Sequence, residues 1–282
     1  MRSFAEIASL YVERKKRLGI VNATALDVRE QYNGDVVIPL PELETYERNA
    51  VANLLKKGMD QMAMRTNSTS PLSEFPSMRP GIQKWDLLAD EQSKAISGFH
   101  EMSRLDIKDA RTTRHFFGYG RRTYTIRPDF KRRIPVWVAR DPLMTYPAPS
   151  EDPDEITPND CIYAYYQTGH WLKANYPSEW ERIARRRGHD ETINEIFEVL
   201  EYIDDEHIVI GVMGKKTSPY DMVIDGAATL ELVRIPNRAE ICTAVVAQGS
   251  TLDRPMGMYD GLLGMYQQQS MLQALGVIAT KR

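Results

Sequence analysis

At Gly118-Tyr119-Gly120 the spacing of apolar residues changes from a helical to an extended period, and that switch limits what this chain can fold into. Before it, apolar residues recur at intervals of three and four. Phe4, Ile7, Ala8, Leu10, Tyr11 and Leu18 mark a first helix whose polar end is Glu13-Arg14-Lys15-Lys16-Arg17. A short helix over about Ala25 to Tyr32 stops at the turn signal Asn33-Gly34. Asp35 to Pro41 is too proline-bound for a central strand and is expected to be an extended connector. Tyr46 to Arg65 places Val51, Leu54, Leu55, Met59 and Met62 on one helical face. Thr66 to Gly81, rich in Ser, Thr and Pro, is a linker, and helix resumes from about Asp86 to Arg114, with Gly98 a weak point.

After the switch the residues alternate. Tyr124 and Ile126 interleave with Thr123, Thr125 and Arg127, and a turn at Phe130 to Arg133 leads into a second strand, Ile134 to Ala139. Asp141 to Asp160 is a proline-rich acidic loop. A third strand, Cys161 to Gln167, is expected to pair with Trp171 to Tyr176 across Thr168-Gly169, and Pro177 opens a short helix. Phe197 to Ile203 and His207 to Met213 form a hairpin around Asp204-Asp205-Glu206. Met222 to Ile224 and Thr229 to Ile235 bracket Asp225-Gly226 as another. Helix returns from Met258 to about Ile278. Helices first, antiparallel strands next and a closing helix give the α+β class. Four segments follow from this reading: 1–66 helical, 67–85 linker, 86–257 an α+β body, and 258–282 the start of a terminal helix.

Charge is arranged in blocks. Arg104 to Arg140 holds eleven Lys and Arg against three Asp, or +8. Asp141 to Asp160 has six acids and no base, and Gly188 to Gly214 has eight acids and neither Lys nor Arg. Such blocks are either solvated faces or complementary patches that meet between copies of the chain. The net charge of -3 excludes a wholesale basic wrapper of nucleic acid. A mean hydropathy of -0.44 and the lack of a long apolar run exclude a transmembrane helix. The first residues lack the apolar stretch of a signal peptide. Two cysteines make neither a disulfide framework nor a four-cysteine zinc site, so a reduced cytosolic setting is expected.

Catalytic patterns are sparse. The five histidines stand in no HExxH or HxH pairing, and Gln248-Gly249-Ser250 lacks the second glycine of a nucleophile elbow. Gly118-Tyr119-Gly120-Arg121-Arg122 follows a helix and enters a strand, the reverse of a phosphate-binding loop. Cys161 and Cys242 fall in expected strands and read as buried, inert thiols. The aromatic cluster Tyr163, Tyr165, Tyr166, Trp171 and Tyr176 has one base, Lys173, and reads as sheet core or subunit interface rather than a stacking platform for single strands. No catalytic residue, cofactor or metal is called for.

Taken in order, these elements resemble the portal proteins of tailed bacteriophages. The similarity lies in Val28 to Gly34 before the asparagine-bearing segment Arg48 to Asn53, and in the helix that runs into Phe117-Gly118-Tyr119-Gly120. It continues in Ile134 to Pro142 with its Asp-Pro end, in Tyr163 to Tyr166, and in the hairpin from Glu198 to Met213. Arg234 to Arg238 and Ser250 to Asp253 before the last helix complete it. The resemblance implies a wing-like sheet body, a stem-like terminal helix and no covalent chemistry. It implies a ring, usually dodecameric, at one capsid vertex of the virion, assembled in the host cytoplasm. Double-stranded DNA passes through such a ring without sequence-specific binding, driven by the terminase motor, and the other expected partners are the major capsid protein and a head-tail adaptor, with no membrane. Portals generally carry a second stem helix, a clip and a crown beyond the point where this sequence stops at Arg282, so terminase docking is the least supported expectation. Ring closure calls for complementary faces, and the expected pairing sets Arg121, Arg122, Lys131, Arg132 and Arg133 against a neighbour's Glu201, Asp204, Asp205 and Glu206. Another phage head or connector protein is the alternative, and a nucleic-acid-processing enzyme using the basic stretch is a third.

Overall fold

The computed structural model describes residues 2–35, 53–68, 74–129, 132–150, 152, 155–187, 193–213, 230–249 and 255–281. The fold is α+β, with antiparallel sheets and a C-terminal helix. The chain divides into two compact units. Unit 1 comprises residues 1–19 and 143–246, and unit 2 comprises 20–142 and 247–282. The units cut across the segments read from sequence, because the first helix belongs with the distant sheet and not with the helices that follow it.

Unit 1 is built on a five-stranded antiparallel sheet of order β3–β4–β5–β6–β7. Its strands are β3 (Thr145–Pro147), β4 (Cys161–Thr168), β5 (Ile196–Ile203), β6 (His207–Val212) and β7 (Leu230–Pro236). Helix α1 (Phe4–Arg17) starts at a capping box, in which the Ser3 backbone donates to Glu6 at 2.6 Å and the Glu6 N–H donates to Ser3 Oγ at 3.4 Å. The Ser3 N–H and the Ser3 hydroxyl, which donates to the same carboxylate at 3.0 Å, hold the Glu6 carboxyl below the usual carboxylate range. The apolar stripe of α1, Phe4, Ile7, Ala8 and Tyr11, packs into one core with Ile162, Ala164, Leu200, Tyr202 and Val209 of the sheet. Gly211 of β6 has a packing role, since a Cβ there would lie 2.2 Å from the Phe4 ring.

Within unit 1 the hairpin Phe197 to Met213 matches the sequence reading, while Trp171 to Tyr176 does not. Its residues 171–175 lie in helix α6 (Gly169–Asn175), because Thr168 Oγ1 accepts the Trp171 N–H at 3.3 Å and caps a helix where aromatic residues suggested a strand. Pro177 opens helix α7 (Pro177–Arg187), as expected of an early proline. A second core joins Leu172 and Trp180 to Phe197, Val199 and Leu232. The expected partner of Leu230 to Ile235 across Asp225-Gly226 lies outside the described residues; the described partner of β7 is β6. Two strands went unread: β3 inside the proline-rich loop, and β8 (Ala244–Gln248), whose last two residues lie in unit 2. Cys242 precedes β8 and is not in a strand.

Unit 2 begins at Ile20, the second residue of α2 (Gly19–Asn33), a helix longer than its sequence signal and closed at Gly34, where φ is +82°. Helix α3 (Leu54–Thr66) starts at Asn53, whose side chain accepts from Lys56 N at 2.9 Å and donates to Gln31 O at 2.7 Å, so one amide caps α3 and ties it to the end of α2. The earlier turns expected for this helix, and the connector from Val36 to Pro41, fall outside the described residues. The single helix expected from Asp86 to Arg114 is two, α4 (Gln83–Met102) and α5 (Leu105–Tyr119). The break is not at Gly98, which α4 passes through. It falls where Ser103 turns inward to accept the Trp137 N–H at 3.2 Å and Arg104 takes a left-handed φ of 51°.

Strands β1 (Arg121–Asp129) and β2 (Ile134–Arg140) form the expected hairpin, with sheet order β2–β1–β8. Gly120 has a φ of +65°, and a Cβ on it would lie 2.4 Å from the Met256 backbone, so the helix-to-strand junction requires glycine on two counts. A single 3₁₀ turn (Asp260–Leu262) leads into helix α8 (Leu263–Lys281). The unit's core gathers Val28, Leu55, Met59 and Tyr259, with Phe117, Leu263 and Tyr266 against them.

Candidate functional site

The nine residues singled out by charge stand in two places. In unit 2 they cluster at the two ends of β1. Arg121 is 2% exposed, and its guanidinium donates to Asn22 Oδ1 of α2, so its charge serves the interior of the unit. Arg122 is half-buried, paired with the Asp109 carboxylate and donating to the Tyr124 hydroxyl at 2.9 Å. Tyr124 also donates to Asp109; burial first, then that acceptor, pushes its phenol up to about 12. Lys131 lies outside the described residues. Arg132 and Arg133 are exposed at the hairpin turn. Arg132 stands 3.8 Å from Asp129, a pair too open to neutralise it, and Arg133 adopts a φ of +57° and donates its N–H to Asp129 O at 2.7 Å.

In unit 1 Glu201 is 1% exposed in mid-β5, opposite Tyr163 and Ile210, and presents no charge to solvent. Asp204 shapes the β5–β6 turn. Its carboxylate accepts from Glu206 N at 2.9 Å and His207 N at 2.5 Å, while Asn237 Nδ2 donates to Asp204 O at 2.6 Å. Asp205 and Glu206 are exposed at the tip. The surface charge of the proposed pairing therefore rests on Arg132 and Arg133 in one unit and Asp205 and Glu206 in the other, with Arg122 and Asp204 partly accessible.

Two acids that sequence reasoning counted only as members of acidic blocks have a definite internal task. Asp160, 6% exposed, lies 2.5 Å from Arg14 and 2.7 Å from Arg2. Glu198, 6% exposed, accepts from the Tyr11 hydroxyl at 2.5 Å and has Lys15 at 3.5 Å. Burial, and then the neighbouring Glu198 charge, raises the Tyr11 phenol. Arg14, Lys15 and the apolar stripe of α1 thus read as one docking face once the sheet is known. The available signal was the basic tail of an amphipathic helix, which has no pointer to its acids in the sequence.

Unit by unit the charges differ in sign. Unit 1 carries 14 Lys and Arg against 21 Asp and Glu, or -7, and unit 2 carries 22 against 18, or +4. Cys161 and Cys242 are both buried; burial holds Cys161 well above the usual thiol range and pushes Cys242 up to about 11, which leaves little thiolate near neutrality. Among the described residues no three His, Cys, Asp or Glu side chains gather as a metal ion needs. Compared with known proteins, the chain matches no family model and no curated protein.

Proposed function

We propose that this chain is a ring-forming portal subunit of a tailed bacteriophage, placed at one capsid vertex as the passage for double-stranded DNA. The observation that carries the reading is the separation of exposed charge. A cationic hairpin turn, Arg132 and Arg133, stands on a unit of net +4, and an anionic turn, Asp205 and Glu206, on a unit of net -7. A head-to-tail contact in a closed ring needs two different, complementary patches on every copy, and opposite charge both attracts and fixes register. The order of helices, hairpin, antiparallel sheet and terminal helix supports the same reading.

The work of such a subunit is mechanical. The ring holds a fixed opening while the terminase motor drives DNA through it. The capsid protein and the head-tail adaptor bind its outer parts. Each phosphate neutralised adds affinity and would slow passage, so a chain of net charge -3 suits a guide better than a clamp. Assembly takes place in the host cytoplasm and the finished ring stays in the virion.

Negative-stain microscopy with mass measurement on the purified protein tests the reading directly. Rings of about a dozen copies with a hole wide enough for duplex DNA are expected. Arg132→Glu with Arg133→Glu should abolish them while the far-ultraviolet circular dichroism stays unchanged, and adding Asp205→Lys with Glu206→Lys should bring them back. Rings unaffected by the first pair of changes would sink the pairing, and a monomer at all concentrations, alone and with capsid protein, would sink the portal reading.

A further inference from the structure

Of the nine asparagines in the chain, only Asn33 is followed by glycine. It is the last residue of α2, and Asn33, Gly34 and Asp35 are all exposed. The helix ends in a left-handed glycine turn. The Gly34 N–H donates to Gln31 O at 3.2 Å, the Asp35 N–H donates to Glu30 O at 2.9 Å, and Gly34 supplies the φ of +82° that brings both about. Asn53 Nδ2 donates to Gln31 O at 2.7 Å and to Tyr32 O at 3.1 Å, so the last carbonyls of α2 also hold the start of α3. Among the described residues nothing crowds the space where a Gly34 Cβ would stand.

We propose that Asn33 is a site of spontaneous deamidation and that its product loosens the junction of α2 with α3. The Gly34 nitrogen gives up its proton to hydroxide and attacks Asn33 Cγ. The new C–N bond closes a five-membered succinimide, and the side-chain nitrogen leaves as ammonia. Water then opens the ring at one carbonyl or the other, which leaves aspartate or isoaspartate at position 33. Glycine favours the attack, because it has no Cβ to block the approach and its backbone turns freely toward the side chain. The nitrogen must first release its bond to Gln31 O, which belongs to the fraying last turn of a helix. Either product sets a carboxylate at the negative end of the helix dipole, in a stretch that already holds Glu30 and Asp35. Isoaspartate also lengthens the main chain by a methylene inside the turn. That shift draws the Gly34 and Asp35 N–H groups away from Gln31 O and Glu30 O and disturbs the carbonyls that Asn53 holds. The reaction needs no enzyme and no partner, and it is independent of the portal reading.

The test incubates the full-length protein in mildly acidic and in mildly alkaline buffer, beside a synthetic peptide of residues 28–35. Mass mapping of proteolytic fragments should show the fragment with residue 33 gaining the mass of an amide exchanged for an acid, faster in the alkaline buffer. Enzymatic methylation specific for isoaspartate should label the same fragment. Asn33→Gln, whose longer side chain closes only a larger and slower ring, should abolish both signals with circular dichroism unchanged. In the converted protein, hydrogen exchange should quicken in the last turn of α2 and the first turn of α3. A fragment that stays intact while the peptide converts completely would overturn the site, because the folded helix end would then protect it. Conversion that persists in Asn33→Gln would place the reaction elsewhere and overturn it as well. Conversion with exchange unaltered at both turns would overturn the loosened junction.

Discussion

The two units divide the apolar residues unequally. Of the buried hydrophobic side chains among the described residues, twenty-five belong to unit 1 and nine to unit 2. Of the exposed large ones, five belong to unit 1 (Ile156, Tyr166, Ile196, Ile235 and Ile241) and fifteen to unit 2. Unit 1 closes on itself, with three apolar clusters around one sheet and its acids Asp160 and Glu198 answered by bases of α1. Among the described residues, unit 2 has one cluster around Met59, and most residues of α4 and α8 are exposed. The packed apolar core of the chain therefore lies mainly in unit 1.

The sharpest way to break this contrast is to open the interior of unit 1. Arg14→Met keeps the length of the side chain and removes the charge facing Asp160. Breaking a buried ion pair costs roughly 3–5 kcal/mol, and the lower end is expected because Arg2 remains 2.7 Å from the same carboxylate. The urea midpoint should fall accordingly, and hydrogen exchange should speed up in α1 and β4 first. Exchange that instead accelerated in α3 and α5 would contradict the division into units. In unit 2, Gly120→Ala should cost about 2 kcal/mol or more, from left-handed backbone and from a Cβ set against Met256. Calorimetry should place that loss in the transition of unit 2.

What could be read in the sequence was what depends on neighbours in the chain. The β1–β2 hairpin, the β5–β6 hairpin and the early proline of α7 all follow local rules, and each is present. Thr168 shows where such rules compete: strand propensity and a capping hydroxyl pointed different ways, and the cap prevailed. The break at Ser103 depends on Trp137, thirty-four residues on, and had no local sign. Charge was legible as blocks but not as surface. Arg121 and Glu201 counted toward their blocks and proved buried, because only the sheet and its covering helices decide which charge faces water.

A third prediction concerns acid. His115 on α5 is half-buried, stacked on Tyr119 at 5.4 Å, with Arg111 and Arg114 on its own helix and Asp141 beyond β2 as charged neighbours. Burial, the largest influence, lowers its imidazole to about 4; Asp141 opposes that effect and the two arginines add to it. A folded value below the unfolded one means that the unfolded chain binds the extra proton. The contribution is therefore whole above about 6.5 and is lost as the pH falls toward 4. His115→Phe should flatten the pH dependence of the urea midpoint between those limits, without changing it at pH 8 beyond the effect of packing. A dependence equally steep in the variant would assign the acid response to other groups.

The smallest effect is expected where the charge chemistry of the Arg14 pair recurs in the open. Lys94 lies 2.9 Å from Asp90 one turn earlier on α4, yet the two side chains are 75% and 65% exposed. The hydrogen bond to Asp90 raises the Lys94 ammonium above its usual range, so any stabilisation is present at neutral pH and is lost only as the pH rises through that raised value. Water and salt screen such a pair, and holding two long side chains together costs entropy. Lys94→Met at pH 7 should leave the urea midpoint within experimental error, at low salt and at high, beside the large loss from Arg14→Met. If the two substitutions proved equal, burial would not be what separates the units. The difference would then have to be sought in the ordering of α1 itself, which a comparison of hydrogen exchange along α1 and α4 in the two variants would expose.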